Sequence, residues 1–281
     1  MIYDPVLQDP IDTDPTNPPG MKPVILKSGG ENLLGTFFQA GGAEKKPTVI
    51  LLHGFPGNES NFDIAHSIRR FGWNVLSFHY RGSWGSGGVF SWNNAIEDVT
   101  TVIDSIKQGY LSEDLKVDSK KLIMVGHSMG GFFSAYSLMK GLVEHAYTLA
   151  LFNIGMIGEL IAGNPAYEGM ALESLREGAK FFNSIPPEKL LKEMIDNADE
   201  WNLLGGVRSI AERNLFLLGA EYDQTAPTAM HFSPLINMLK KVSPEKKFGE
   251  ILQTGHSFSD KRIAVSRSVV DWLSTINFQD Q

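Results

Sequence analysis

Apolar residues along this chain form two alternating kinds of segment. Short and almost continuous apolar runs, typical of strands buried on both faces, occur at residues 48–53, 73–79, 121–125, 146–152, 214–218 and 248–252. Other segments space their apolar positions as helices do, at residues 61–71, 94–108, 131–143, 229–241 and 262–276. This alternation predicts an α/β fold with right-handed crossovers, a mostly parallel central sheet and helices on both of its faces.

The chain before these buried runs has a different character. Residues 24–28 and 33–39 are short β-type runs separated by Gly-Gly-Glu-Asn, which predicts an antiparallel hairpin at the edge of the sheet. Residues 1–22 contain three Asp-Pro pairs, and proline both lacks an amide donor and disfavours helix in the residue before it. We therefore expect an extended N-terminal arm over residues 1–22, lying along the surface of a single domain over residues 23–281.

The alternation also stops between residues 153 and 213. This stretch is helical in character, is interrupted by glycine and proline, and carries several methionine and aromatic residues. We expect it to form a small helical cap, inserted after the sixth strand, rather than an independent domain.

The strongest chemical motif is Gly-His-Ser-Met-Gly at residues 126–130, a GxSxG pattern. It lies between an apolar strand and a predicted helix, where a sharp turn lifts the serine oxygen above the sheet and the glycines leave room for the strained backbone. The helix start adds amide donors and a positive dipole end beside a developing negative charge. A glycine-rich packing turn is the alternative, but both flanks favour Ser128 as a catalytic nucleophile.

With this motif the chain resembles the α/β-hydrolase family, and the resemblance extends over nearly all of residues 23–276. His-Gly-Phe-Pro-Gly at residues 53–57 follows the first long buried strand, as the family's oxyanion loop does. The resemblance implies that the backbone amides of Phe55 and Met129 hold the tetrahedral oxyanion. It gives the side chain of His53 a structural role rather than an acid or base role.

Two further residues complete the chain order Ser, Asp, His that this fold uses. Asp223 lies just beyond the strand at residues 214–218, at the edge where an open α/β sheet builds its site. Glu221 is its nearest rival and a turn-capping role is the alternative, but the family pattern places the acid at Asp223. His256 follows the last strand and precedes the last helix, so we expect it to be the general base. Asp260 lies too near His256 in sequence to orient it.

The loop after the strand at residues 73–79 resembles the arginine-glycine loop of esterase-like and serine-aminopeptidase-like members of the family. Its aromatic residues Trp84, Phe90 and Trp92 are candidates for an acyl or aromatic subsite, because ligand pockets are mostly apolar. Packing beneath the cap is an equal alternative for these rings. We expect Arg81 to pin the loop by an ion pair rather than to touch the substrate.

Composition narrows the classes of site further. The chain has no cysteine, and its seven histidines show no HExxH or other close ligand spacing, so we expect no protein-bound metal. Neither GxGxxG nor GxxxxGK[ST] occurs, and we expect no cofactor. A net charge of −7 disfavours a nucleic-acid partner.

The first residues lack the features of a signal peptide, and no apolar run reaches the roughly 18 residues that suggest a membrane span. We expect a soluble, cytoplasmic protein, although the mature form of an exported protein would look the same. The sequence leaves the oligomeric state open.

Together these residues predict an enzyme, a serine hydrolase acting on a small carboxylic ester with an apolar or aromatic part. The serine attacks, the histidine takes its proton, the aspartate fixes the imidazole tautomer, and water hydrolyses the acyl-enzyme. A peptidase of the serine-aminopeptidase or dipeptidyl-peptidase kind, acting on a short peptide, is the alternative. It requires a carboxylate for the substrate ammonium, for which Glu168, Glu173 and Glu221 are available. A non-catalytic binding protein on the same fold is a hypothesis of a different class.

Overall fold

The computed structural model describes residues 3–111 and 115–278, so the first two residues of the predicted arm and the last three of the predicted domain lie outside the described part. Its centre is a sheet of eight strands. In chain order these are β1 (Gly20–Ser28), β2 (Glu31–Gln39), β3 (Lys46–Leu52), β4 (Asn74–Phe78), β5 (Val117–His127), β6 (His145–Leu149), β7 (Asn214–Ala220) and β8 (Gly249–Leu252).

The sheet is mostly parallel. Its spatial order is β1-β2-β4-β3-β5-β6-β7-β8, with antiparallel pairing from β1 to β4 and parallel pairing from there to β8. The predicted hairpin is the antiparallel edge, and the predicted fold class is confirmed. Because parallel strands bring their carboxyl ends to one edge, the loops after β3, β5, β7 and β8 meet there.

Helices cover both faces of the sheet. In chain order they are α1 (Phe62–Phe71), α2 (Trp92–Lys107), α3 (Met129–Met139), α4 (Ile154–Gly163), α5 (Glu168–Ala179), α6 (Pro187–Asp196), α7 (Ala198–Trp201), α8 (Val207–Glu212), α9 (Thr228–His231), α10 (Ser233–Val242) and α11 (Arg262–Ser274), with a 3₁₀ helix at Pro165–Tyr167. Side chains of β3 alternate between two cores, since Val49 packs with α1 and α11 and Ile50 with α2 and α3.

The segment between β6 and β7 holds α4 to α8, and we call residues 153–213 the cap. It begins at Asn153, whose side-chain oxygen accepts from the Met156 amide and so caps α4. The same side chain donates to Asn202 Oδ1 at 3.1 Å, and its oxygen also accepts from the Leu203 amide. One buried asparagine therefore joins the start of the cap to the chain that follows α7.

The described part of the arm crosses two helices. Arg70 of α1 donates to the carbonyl of Pro5 at 2.7 Å, and the Tyr3 hydroxyl donates to the carbonyl of Arg70. An ion pair joins Asp4 to Arg267 of α11. The arm thus links the two helices that cover one face of the sheet.

Several boundaries differ from those expected: β1 begins at Gly20, inside the predicted arm, and three further differences have a clear local cause. Helix α2 begins at Trp92 rather than at residue 94, because the Ser91 hydroxyl caps it by accepting from the Asn94 amide. The helix predicted at residues 229–241 is divided into α9 and α10, which are separated by Phe232. A proline lies in the first turn of α10, a position that proline favours. Strand β5 begins at Val117, four residues early, because its first part is polar and gives no apolar run.

Candidate active site

Ser128 stands alone between β5 and α3, in a turn that glycines make possible. Its φ of 56° and ψ of −116° lie outside the regions that ordinary residues prefer. A methyl group at Gly126 would lie 2.0 Å from the carbonyl oxygen of Gly130, and one at Gly130 would lie 2.3 Å from that of Leu52. Glycine is therefore required at both positions of the motif, since no other residue lets α3 approach β5 and β3 so closely.

The loop after β3 lies directly against Ser128. A methyl group at Gly54 would lie 3.0 Å from Ser128 Cβ and 3.6 Å from Oγ, so the predicted oxyanion loop borders the hydroxyl. Phe55 follows in this loop, and Met129 is the first residue of α3, whose leading amides have no acceptor within the helix. No described residue accepts a hydrogen bond from either amide. Both amides are therefore unpaired within the described part of the chain.

Asp223 and His256 are joined by a hydrogen bond, although they are far apart in sequence. His256 Nδ1 lies 2.7 Å from Asp223 Oδ2, and the carboxylate side chain is fully buried. Its other oxygen accepts from the amides of Thr225 and Ala226 at 2.8 and 2.7 Å. A carboxylate accepts only, so Nδ1 carries the proton and Nε2 is left as the basic nitrogen.

The surroundings of Asp223 keep it ionised. Burial by itself raises the pKa of this carboxyl. The hydrogen bond and charge of His256, together with the amides of Ala226 and Thr225, outweigh burial and hold the pKa below its usual value. The rival acids are placed elsewhere, because Glu221 is exposed and Asp260 accepts from the Thr254 hydroxyl.

Ser128 and His256 are linked through His127, the last residue of β5 and the neighbour of Ser128 in the chain. Its Nε2–H donates to the carbonyl oxygen of His256 at 2.9 Å, and the two rings lie 4.8 Å apart. Burial, followed by the neighbouring His256, lowers the pKa of His127 to about 3, so its ring is neutral. Within the described chain no hydrogen bond joins the Ser128 hydroxyl to the His256 ring, which is common before substrate binds.

A second buried histidine lies on the cap side of the site. His231 Nδ1 accepts from the amide of Asn153 at 3.0 Å, and its ring stacks on Phe152. Burial lowers its pKa to about 4, while the charge of Asp223 acts in the opposite direction. Sequence reasoning missed both His127 and His231, because each makes its hydrogen bond to a segment more than 70 residues away and no local pattern marks it.

The three aromatic residues proposed for the acyl subsite fall into two groups. Phe90 and Trp92 are 0% and 4% exposed and pack beneath the cap, where the indole N–H of Trp92 donates to the carbonyl of Leu190. Trp84 is 39% exposed, donates to the carbonyl of Pro56 at 2.7 Å and stacks on Phe181 of the cap. Only Trp84 therefore presents ring surface to solvent, between the Phe55 loop and the cap.

Arg81 lies in an ion pair, as expected for a residue that pins the loop. Its Nε is 2.6 Å from Asp98 Oδ1, and its backbone amide donates to the other oxygen of that carboxylate at 2.8 Å. Glu97 and the carbonyl of Asn94 bind the guanidinium on its outer side. These contacts fasten the start of the loop to α2.

The described residues contain no group of three or more histidine, aspartate or glutamate side chains able to hold a metal ion. None of the helices described is both long and apolar enough to cross a membrane.

The eight-stranded sheet, the serine in a strand-to-helix turn, and an Asp–His pair in later loops define the α/β-hydrolase class. The sequence profile of the alpha/beta hydrolase family matches residues 49–263, and the chain belongs to this family. No curated protein sequence gives a significant match.

Solved structures with the same fold include hydrolases of two kinds. An acylaminoacyl peptidase of Pyrococcus horikoshii superposes with a TM-score of 0.66 at 14% identity, over 94% of this chain and 43% of the peptidase. The chain therefore spans less than half the length of that protein. An esterase of Pyrococcus furiosus gives a TM-score of 0.64 at 21% identity, over 91% and 90% of the two chains. A hyperthermophilic esterase of Pyrobaculum calidifontis gives 0.63 at 15% identity, over 91% and 82%. At these identities the likeness shows the fold alone.

Proposed function

We propose that this protein is a serine hydrolase that cleaves a carboxylic ester or a related acyl bond through an acyl-enzyme intermediate. The observation that carries the proposal is the 2.7 Å hydrogen bond between His256 and the buried carboxylate of Asp223. This hydrogen bond leaves Nε2 of His256 as the basic nitrogen. The backbone carbonyl of His256 is in turn bound by His127, the residue that precedes Ser128. A nucleophile, a base and an orienting acid thus occur in the order and loops that this chemistry uses.

In the proposed reaction Ser128 Oγ attacks the ester carbonyl carbon while His256 Nε2 takes the hydroxyl proton. The carbonyl oxygen becomes an oxyanion and accepts from the amides of Phe55 and Met129. Collapse of the intermediate breaks the bond to the alcohol, which leaves with the proton held by His256. Water, deprotonated by the same imidazole, then attacks the acyl-enzyme. The bond between the acyl carbon and Ser128 Oγ breaks, Oγ takes the proton back from His256, and the acid is released. Asp223 stays ionised and stabilises the imidazolium throughout.

The carboxylates favour an ester over a peptide with a free amino terminus. Glu168, Glu173 and Glu221 are all exposed. The carboxylate of Glu173 is also paired with Arg176, with Oε2 lying 3.9 Å from Nη1. The carboxylate of Asp98 is buried, but Arg81 is already paired with it. An ammonium group would thus gain little from these side chains, because exposed ion pairs contribute only about 0–1 kcal/mol. Trp84 is the best candidate for contact with an apolar or aromatic part of the substrate.

Labelling by a fluorophosphonate probe tests the nucleophile, because the probe reacts with an activated serine. We expect wild-type protein to be labelled and Ser128→Ala to lose both labelling and turnover, with a rate of at most about 10³–10⁴-fold above that in water. Circular dichroism of the variant checks that it is folded. A folded Ser128→Ala protein with near wild-type hydrolysis contradicts the proposal. Absence of labelling in the wild type favours a binding protein instead.

The bond type is tested by a panel of nitrophenyl esters of increasing acyl length beside aminoacyl and dipeptidyl nitroanilides. We expect the esters to have the higher kcat/KM. Faster turnover of the free-amino amides assigns the protein to the peptidase alternative.

A further inference from the structure

The side chain of Phe55, whose amide is a proposed oxyanion donor, is partly buried and packs against the cap and the loop that follows β4. Its ring centre lies 5.6 Å from Phe90, 5.3 Å from Trp92 and 5.2 Å from Phe182. Gly178, buried near the end of α5, lies against a further side of the ring. A methyl group at Gly178 would lie 2.0 Å from Phe55 Cε1 and 2.6 Å from Cδ1.

The backbone on either side of Phe55 is also fixed. Gly54 lies against Ser128, as described above, and the carbonyl of Pro56 accepts from the indole of Trp84 at 2.7 Å. Because Phe90, Trp92 and Phe182 restrict the ring, we expect a group that presses on it from Gly178 to displace the ring together with its backbone, and with it the amide.

The cap segment that contacts Phe55 is itself bound to the loop between β4 and α2, which carries Trp84 and Phe90. The Asn183 amide donates to the carbonyl of Gly82 at 2.8 Å, and the Asn183 carbonyl accepts from the Phe90 amide at 2.7 Å. The Asn183 side chain donates to the carbonyl of Gly88 at 2.8 Å. This part of the cap consequently has one defined position over the oxyanion loop.

We infer that Gly178 and Phe182 of the cap are positioning residues for the Phe55 amide, so that the cap sets the geometry of the oxyanion hole. The inference rests on the proposed function. It assigns to α5 and the chain after it a role in the chemical step itself, besides any contact with substrate. The position of the Phe55 amide matters for the rate, since a shift of about 1 Å in a catalytic group can cost about 100-fold in rate.

Gly178→Ala is the direct test, and Gly169→Ala is its matched control. Both glycines lie in α5, but a methyl group at Gly169 meets nothing within 4 Å. We expect Gly178→Ala to lower kcat by about 10- to 100-fold with KM changed less than threefold, because an oxyanion contact strengthens in the transition state. Gly169→Ala should keep kcat within about twofold of wild type.

Two measurements separate positioning from simple damage to the fold. A boronic acid, which becomes tetrahedral on the serine, should lose affinity for Gly178→Ala in parallel with kcat, while the product carboxylic acid should not. Adding Phe55→Leu to Gly178→Ala removes ring atoms from the collision, and we expect it to recover part of the lost kcat. A structural defect would show neither effect.

If Gly178→Ala does not fold, Phe182→Leu decides, because it loosens the contact with Phe55 by a smaller change. We expect kcat to fall severalfold, up to about tenfold, with little change in KM. The inference is overturned if a folded Gly178→Ala, or Phe182→Leu in its place, retains wild-type kcat and boronic acid affinity. Failure of the proposed function is distinct, since wild-type protein would then show no labelling that depends on Ser128.

Discussion

At the scale of single residues, the backbone of Ser128 holds a conformation that glycine adopts more easily. Its φ of 56° is combined with a ψ of −116°, and such strain costs about 1–3 kcal/mol in a residue with a Cβ atom. Hydrogen bonds from the amides of Phe132 and Phe152 to the Ser128 carbonyl hold it in place. Ser128, the proposed nucleophile, is thus presented at a cost in stability.

Comparison of two inactive variants should expose this strain. We expect Ser128→Gly to have a free energy of unfolding about 1 kcal/mol higher than Ser128→Ala, because relief of strain exceeds the entropy that glycine loses on folding. Both variants lack the hydroxyl, so its own contacts cancel. Urea unfolding of the two proteins measures the difference, and an equal or lower stability of Ser128→Gly would contradict the strained turn.

The hydrogen bond from His127 to the His256 carbonyl gives a second prediction. We expect His127→Phe, which keeps a ring but removes the donor, to reduce kcat/KM by about 10- to 100-fold through misplacement of the His256 loop. His127→Gln should lie within about fivefold of wild type, since its terminal amide reaches the same carbonyl. Ester hydrolysis by the two folded variants is the measurement. Equal rates for Phe and Gln would show that the donor is not needed.

Ser128, Asp223 and His256 could be selected from sequence because each follows an apolar strand in a fixed order along the chain. His127 could not, although it lies inside the most recognisable motif. Its partner is 129 residues away, and the contact depends on how two loops meet across the sheet edge. The sequence also does not predict that Phe90 and Trp92 are buried while Trp84 is exposed, because a run of aromatic residues does not reveal which rings the cap covers.

At the scale of elements, the loop after β4 depends on one buried ion pair with α2. Asp98 is fully buried, and burial raises its pKa even though Arg81 donates to it from both side chain and backbone. Glu97, on the outer side of the same guanidinium, has a side chain that is 57% exposed. We therefore expect the pair of Arg81 with Asp98 to contribute more to the stability of the fold than its pair with Glu97.

Removal of the arginine should be far more damaging than removal of the outer acid. We expect Arg81→Met to lower the free energy of unfolding by about 3–5 kcal/mol, because it removes the cation from the buried Asp98 carboxylate and leaves it only neutral donors such as the backbone amide of residue 81. Glu97→Gln should change it by no more than about 1 kcal/mol, as for exposed ion pairs. Urea unfolding compares the variants, and similar values for both would mean that the inner pair contributes no more than the outer one.

At the scale of the whole molecule, buried neutral histidines tie stability to pH. Burial lowers the pKa of His53 and His127 to about 3 and that of His231 to about 4, whereas unfolded histidine has a pKa of about 6.5. Below about pH 6.5 the unfolded chain binds protons at these sites that the folded chain does not bind. Stability is therefore fully present above that pH and is lost as the pH falls toward the folded values.

We expect the free energy of unfolding near pH 5 to fall by about 1.4 kcal/mol per pH unit for each histidine, and so by about 4 kcal/mol per unit for the three together. Urea unfolding at pH 7.5, 6 and 5 measures this slope. His231→Asn, which removes one of the three groups, should reduce the slope by about 1.4 kcal/mol per pH unit whatever its effect at pH 7.5. Constant stability from pH 7.5 to 5 would contradict the burial of these rings as neutral species.

The overall architecture was predictable because alternating apolar runs report burial directly, and a parallel sheet covered on both faces is the only common way to bury so many of them. The internal arrangement of residues 153–213 was not. Helical character was visible there, but the packing of α5 on the Phe55 loop depends on Gly178 lying against a ring 123 positions earlier in the chain.

The Asn153 side chain, bonded both to Asn202 and to the Leu203 amide, closes the base of the segment that holds α4 to α7. Since the start of the cap is fastened to the chain that precedes α8, we expect the residues between these two points to tolerate changes in length and composition while the sheet keeps its connections. Grafting of another segment between them should then reshape this side of the candidate site without altering Ser128, Asp223 or His256. One condition limits the exchange: each replacement has to bring its own surface against the ring of Phe55.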